Sequence, residues 1–221
     1  GSTASGSGGI IDIAGALSLR GGGDATSFLG FVDDTYSGTV SGIYTNTASI
    51  SGSGTRWDTG FFYTGYDGNG TTTVESGGML ASVSSTFIGY NDRSIGTLNV
   101  NAGGTVDTNS AGYLGTNSGS TGAVTVSGAG ALWDIAGALY VGGFNSTAGA
   151  DGQLTVSTGG VVDVGGTVNF WESGVINMNG GTLNAGSLDN LGAFNFNAGT
   201  VNVTNNLSTN GFGAMGSIDI G

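Results

Sequence analysis

Histidine, cysteine, proline and lysine are all missing from this chain of 221 residues, and its only cations are Arg20, Arg56 and Arg93. Without an imidazole, a thiol or a side-chain amine there is no Ser-His or Cys-His nucleophile, no Schiff base, no P-loop lysine and no His or Cys metal site. Fifteen acidic residues against three basic ones give a formal net charge of −12. That is the wrong sign for displacing counterions from phosphates, so nucleic acid is not a partner. No apolar run approaches the ~18 residues of a membrane helix, and no signal-peptide pattern is found, so membrane insertion of this segment is not expected. The missing cysteine fits the cytosol and a disulfide-free secreted protein equally well. Lack of lysine leaves a trypsin-like protease three cleavage positions, which suits an exposed, extracellular life.

What the chain has instead is glycine: 48 residues, about three times the usual ~7%. Random low complexity is excluded by where they fall. Segments 48–54, 72–78, 98–104, 124–130, 154–160, 176–181 and 194–199 share one grammar, two apolar residues around a small polar one followed by a Gly turn. Their last glycines are separated by 24, 26, 26, 30, 21 and 18 residues. Two residues beyond each of these glycines stand Arg56, Leu80, Val106, Leu132, Val162, Leu183 and Val201. A third segment then pairs an aromatic with an aliphatic residue ahead of Gly, as in Phe28-Leu29-Gly30, Phe87-Ile88-Gly89, Tyr113-Leu114-Gly115 and Tyr140-Val141-Gly142.

Short strands of period two, no 3.6-residue pattern and frequent turns predict an all-β chain. A repeat of roughly 18–30 residues with three strands predicts one coil of a parallel β-solenoid, each coil stacked ~4.8 Å on the last. The general crossover preference makes it right-handed. Glycine supplies the corners, and proline is absent because neighbouring coils need nearly every backbone N–H. Leu98, Val100, Val106, Val124, Val126, Leu132, Leu154, Val156 and Val162 are expected to face inward in vertical stacks. Residues 1–221 form one module, with 1–9 a junction segment and 175–221 a set of shorter, Asn-rich coils. Asn99, Asn101, Asn177, Asn179, Asn195 and Asn197 read as turn residues and stacked amide ladders.

Two stretches match each other closely: Ser51-Gly-Ser-Gly-Thr-Arg-Trp57-Asp58 and Ser127-Gly-Ala-Gly-Ala-Leu-Trp133-Asp134, the second continuing Ile135-Ala-Gly-Ala-Leu-Tyr-Val-Gly142. This phrasing resembles the passenger repeats of bacterial type V autotransporters and related Gram-negative surface β-solenoid proteins. The resemblance covers roughly residues 5–170 well and 175–221 as a shortened variant. It implies a secreted solenoid at the bacterial cell surface and is nearly silent on activity. The chain departs from such proteins in carrying no alternating, lipid-facing strands of a translocating barrel.

Candidate chemistry is sparse. Asp33-Asp34 is the only adjacent acidic pair, and two carboxylates can hydrolyse a glycosidic bond. The resemblance to polysaccharide-cleaving solenoids fails, however, at the His and Arg-x-Lys positions those enzymes use. Asp67-Gly-Asn-Gly70, Asn91-Asp92, Asp151-Gly152 and Gly21-Gly-Gly-Asp24 offer oxygen ligands suited to calcium, but Asx-Gly is ordinary turn chemistry and is read as such. Trp57, Trp133 and Trp171 invite comparison with a sugar platform. The matching place of the first two after a Gly turn points instead to structural stacking. An ice-binding face would need a regular outward Thr row, and Thr71-Thr-Thr73 reads as isolated.

The expectation is therefore no enzyme, no cofactor, no catalytic residue and no metal site. The chain reads as an extracellular structural or adhesive surface protein whose partners are further copies of itself and surface glycans or a neighbouring cell surface. The alternative is a carbohydrate-binding or carbohydrate-cleaving β-helix. Residues 5–17 align with 127–139, so the chain enters a coil at its turn, and Ser217-Ile-Asp-Ile-Gly221 has the form that opens a coil. This predicts head-to-tail stacking into a filament, with Ile218 and Ile220 of one copy beside Ile10 and Ile11 of the next, and the alternative that the sequence permits equally is a piece cut at both ends from a longer passenger.

Overall fold

The computed structural model describes residues 10–14, 18–20, 26–29, 45–145, 147–209 and 219–220, with side chains described for 45–145 and 147–208. In chain order, β1 (Ile10–Ala14), β2 (Ser18–Arg20) and β3 (Thr26–Leu29) are followed by β4 (Thr45–Ser51), β5 (Arg56–Thr59) and β6 (Phe61–Thr64). The pattern repeats in β7 (Asn69–Glu75), β8 (Met79–Ser82) and β9 (Thr86–Ile88), in β10 (Ile95–Val100), β11 (Thr105–Thr108) and β12 (Gly112–Leu114), and in β13 (Thr121–Val126), β14 (Ala131–Ile135) and β15 (Leu139–Val141). A hairpin of β16 (Gly143–Phe144) and β17 (Thr147–Ala148) interrupts it before β18 (Asp151–Ser157) and β19 (Gly160–Phe170). The long strands β20 (Gly174–Asn190) and β21 (Ala193–Thr209) and the short β22 (Asp219–Ile220) complete the order.

Each strand pairs in parallel with its counterpart one coil away, and the hairpin is the only antiparallel pair among the described residues. The first face stacks β1, β4, β7, β10, β13, β18 and the opening stretches of β20 and β21. The second and third faces stack in the same way, giving the β-solenoid that the repeat predicts.

Alternation in each strand sends one set of side chains inward. Ala48, Thr72, Leu98, Val124, Leu154, Ile176 and Phe194 form one column, each in register with the next. Ile50, Val74, Val100, Val126, Val156 and Met178 form the next, all fully buried. Each such aliphatic side chain contributes about 1.5–3 kcal/mol by leaving water. The corner after the third face shows why glycine is required. Gly65, Gly89, Gly115 and Gly142 all have positive φ, between 63° and 83°. At Gly89 a Cβ would also sit 2.1 Å from the carbonyl oxygen of Thr121 on the next coil.

Three sequence expectations are corrected. Leu132 points outward, and Trp133, fully buried, takes the inward place in register with Val106 and Val162. The turn before β14 contains two left-handed glycines, Gly128 and Gly130, and is one residue longer than the turn at Gly103. Gly52 and Gly54 do the same before β5, so Trp57 enters the core and Arg56 is pushed outside. Second, Ile10–Ala14 belongs to the first face opposite Thr47–Ser51, whereas Asp219–Ile220 belongs to the second face opposite Asn202–Val203. An alternating apolar pair before a turn reads alike on either face, so the alignment of 5–17 with 127–139 selected the wrong one. Third, the step from Ile10 to Thr47 is 37 residues, outside the 18–30 range, because the connection between β3 and β4 is long. Later steps lie within it, from 30 residues at Thr121 to Asp151 down to 18 at Ile176 to Phe194.

Candidate functional site: side-chain ladders on the outer faces

With the core filled, chemistry is left to the outward-facing positions, and there like residues meet like residues along the axis. On the third face Phe62 and Ile88 point inward, so their neighbours Tyr63 and Phe87 point outward. Tyr63, Phe87, Tyr113 and Tyr140 stack ring on ring at 4.6, 4.7 and 4.9 Å between centroids, each pair within 6° of parallel. Beside this column Tyr66 stacks on Tyr90 at 5.1 Å, and both meet the column edge-on through Tyr63. The β16–β17 hairpin completes the ribbon. Phe144 lies 5.1 Å from the Tyr113 ring, and the Tyr113 hydroxyl donates to Asn145 Oδ1 at 3.2 Å. Burial, then the neighbouring Tyr90 and Tyr66, pushes the Tyr63 hydroxyl up to about 12. Burial and Tyr140 raise that of Tyr113.

On the first face the ladder is made of amides. Asn195 Nδ2 donates to Asn177 Oδ1 at 2.9 Å, and Asn197 Nδ2 to Asn179 Oδ1 at 2.8 Å. Asn177 in turn donates to Thr155 Oγ1 at 3.4 Å, and Asn101 to Glu75 Oε2 at 3.1 Å. These are the stacked amides expected from the sequence, although Asn99 makes no such bond. The Thr row is less isolated than the sequence suggests. Thr71 stacks between Thr47 and Thr97, but Ala123, Gln153 and Val175 continue that column, so no regular hydroxyl array results.

On the second face an acidic column takes over. Asp107, Asp134 and Asp163 stand opposite one another on β11, β14 and β19, and Asn184 and Asn202 extend the line. Asn184 Nδ2 donates to Asp163 Oδ1, and Asn202 Nδ2 to Asn184 Oδ1 at 2.7 Å. The Asp134 carboxyl is raised by partial burial and then by the charges of Asp107 and Asp163.

The residues considered from the sequence fall as follows. Trp57 and Trp133 are core residues. Trp57 meets Phe62 edge-on at 5.6 Å, and Trp133 Nε1 donates to Thr108 Oγ1 at 3.2 Å. Trp171 is half-buried, with its ring against Gly143. Asn91 donates to Asp67, and Asn117 Nδ2 to Asn91 Oδ1 at 3.4 Å, so these turn residues form a further ladder. Asp92 lies 3.6 Å from Arg93 in an exposed pair, and Asp151 is exposed on the first face. Among the described residues no three acidic groups are gathered so as to hold a metal ion. Asp33, Asp34, Gly21–Asp24 and Ile218 lie outside the described residues. Ile10 and Ile11 on the first face and Ile220 on the second are not on a common face.

The sequence reading missed the aromatic ribbon and the acidic column. The signal for the ribbon was present: if Ile88, Leu114 and Val141 face inward, alternation sends Phe87, Tyr113 and Tyr140 outward. The acidic column was hidden by the longer turn before β14, which places Asp134 one residue further from its glycine than Asp107 and Asp163.

Chemically, the aromatic and amide ladders satisfy their own members. Stacked rings offer solvent their edges and hydroxyls, while their faces, which a sugar would need, are covered by the next ring. The carboxylates of the acidic column stand in one line on one face. No protein-family model, no curated protein and no solved structure matches this chain.

Proposed function

We propose that this chain is an extracellular structural and adhesive module of a bacterial cell surface, whose copies stack end to end. The observation that supports this is the ladder arrangement itself. From Tyr63 to Tyr140 and from Asn177 to Asn195, outer side chains are bonded to the same position one coil away. Such contacts lengthen with every coil added and build a long, flat-sided rod rather than a cleft. Its partners are the next copy of itself and the glycans or proteins of a neighbouring surface.

The geometry also alters how copies would stack. Ile10 and Ile11 lie on the first face and Ile220 on the second, so Ile220 of one copy would meet the second face of the next instead of Ile10 and Ile11. Sedimentation velocity over a hundredfold concentration range, with negative-stain imaging of the same samples, tests this reading. The expected result is rods that lengthen in steps of one module. A protein that stays monomeric throughout overturns the stacking, and turnover of a polysaccharide overturns the structural role.

A further inference from the structure

The second-face column changes character along its length. Toward its lower end Asp58, in register with Arg20 on the coil below, is held by the Arg56 guanidinium at 2.6 Å, and Ala81 separates that pair from Asp107. At the upper end Asp163 accepts from the Asn184 amide. Between these two satisfied ends, no donor among the described residues reaches the carboxylates of Asp107 or Asp134. Adjacent coils place successive carboxylates about 4.8 Å apart, so Asp134, which is exposed to solvent, has a like charge on either side and no protein donor among the described residues.

We propose that the Asp107–Asp134–Asp163 column is an acid-responsive lock, loose when all three carboxylates are charged and closed when Asp134 takes up a proton. A protonated Asp134 is an O–H donor between two acceptors. It then does for the middle coils what the Asn184 and Asn202 amides do for the coils above, where the same column is bonded amide to oxygen. The groups facing Asp134 are Asp107 from β11 and Asp163 from β19, and β10 and β13, which also pack near β14, carry no charged residue. Arg56 is engaged by Asp58, and Arg93 lies beside Asp92 in the turn after β9.

The direction of the Asp134 shift, upward from 3.8, agrees with this geometry. A carboxyl raised in the folded state makes folding weaker at neutral pH. The loss is recovered as pH falls through its folded value, and recovery is complete below 3.8. The lock therefore tightens the middle of the rod as the medium is acidified toward 3.8.

The test is urea unfolding of the whole chain, followed by circular dichroism, at pH 7 and at successive steps down to about pH 4.5, above the isoelectric point near 4.1. Asp134→Asn should unfold at higher urea than the wild type at pH 7 and gain less on acidification, with a melting temperature at pH 7 raised by about 1–2 °C. Asp107→Asn should reproduce the effect in part, and Asp151→Asn, which removes an unstacked charge on the first face, should behave as the wild type. The proposal is overturned if Asp134→Asn is no more stable than the wild type at pH 7, if it keeps the full acid gain, or if Asp151→Asn matches it.

Discussion

The coils from β4 to β19 and those formed by β20 and β21 share one backbone plan and differ in what covers it. In the lower set, apart from the two-residue hairpin strands and the 11-residue β19, strands of three to seven residues are separated by distinct turns, and the third face carries rings stacked from Tyr63 to Tyr140. The upper coils run as 17-residue strands that bend through register shifts, and their outer columns are amides at 177/195, 179/197 and 184/202. A rung spacing near 4.8 Å suits both, because flat rings and planar amides each repeat comfortably at that distance. The difference lies in the type of energy. Rings add burial and dispersion, which are large and indifferent to charge, whereas an exposed amide pair adds a hydrogen bond exchanged against water, worth about 1 kcal/mol. The shorter coils compensate with fewer turn residues to order.

Both regions depend on the same inward columns, and breaking one of those should have the largest effect. Val126 is fully buried on β13 between Val100 and Val156. Val126→Asp should unfold the coils around it, since an unpaired buried charge costs several kcal/mol. Its outward neighbour provides the control, because Thr125→Asp should melt near the wild type. Equal melting temperatures for the two variants would mean that the alternation assigned to β13 is wrong.

Next in size is the contrast between rings and amides. Phe87→Ala removes a ring stacked on both Tyr63 and Tyr113, and is expected to cost about 3 kcal/mol in urea unfolding. Asn195→Ala removes one amide bond and is expected to cost about 1 kcal/mol or less. If the two losses were equal, the outer ribbon would be decoration, and the lower coils would owe their stability to the core alone.

How far the sequence foretold this depends on which periodicity is asked to speak. The inward valines and leucines of 98–100, 124–126 and 154–156 were legible because their spacing to the Gly turn is constant. Leu132 was misplaced because the same rule was carried across a turn one residue longer, where Trp133 takes the inward place. Ile10–Ala14 and Asp219–Ile220 were recognisable as strands, but not as belonging to a particular face, since a period of two holds no information about which side of the triangle it occupies. The outer ladders were half legible. Asn177, Asn179, Asn195 and Asn197 recur at an 18-residue step that a reader can see, whereas Asp107, Asp134 and Asp163 align only once the turn lengths are known.

The smallest effect separates the two regions by pH. All tyrosines of the chain precede residue 141, so only the lower coils carry phenols. The Tyr63 hydroxyl is pushed up to about 12, by burial first and then by Tyr90 and Tyr66, whereas in an unfolded chain it would ionise near 10.0. The unfolded state therefore releases its proton first. Stability falls as pH rises through 10 and levels off above about 12, the same sense as the response of Asp134 but at the alkaline end of the scale. Tyr63→Phe keeps the ring stacked on Phe87 and removes the ionisation, so the variant should lose less of its neutral melting temperature at pH 11 than the wild type does. Because Tyr63 is partly exposed, the difference should be small, a degree or two. A companion change in the upper coils, Asn202→Ala, lowers stability at every pH by a constant amount and leaves the alkaline slope as it was. Should Tyr63→Phe follow the wild-type slope while Asn202→Ala changes it, the alkaline sensitivity would belong to the amide ladders, and the distinction between the two regions would have to be redrawn.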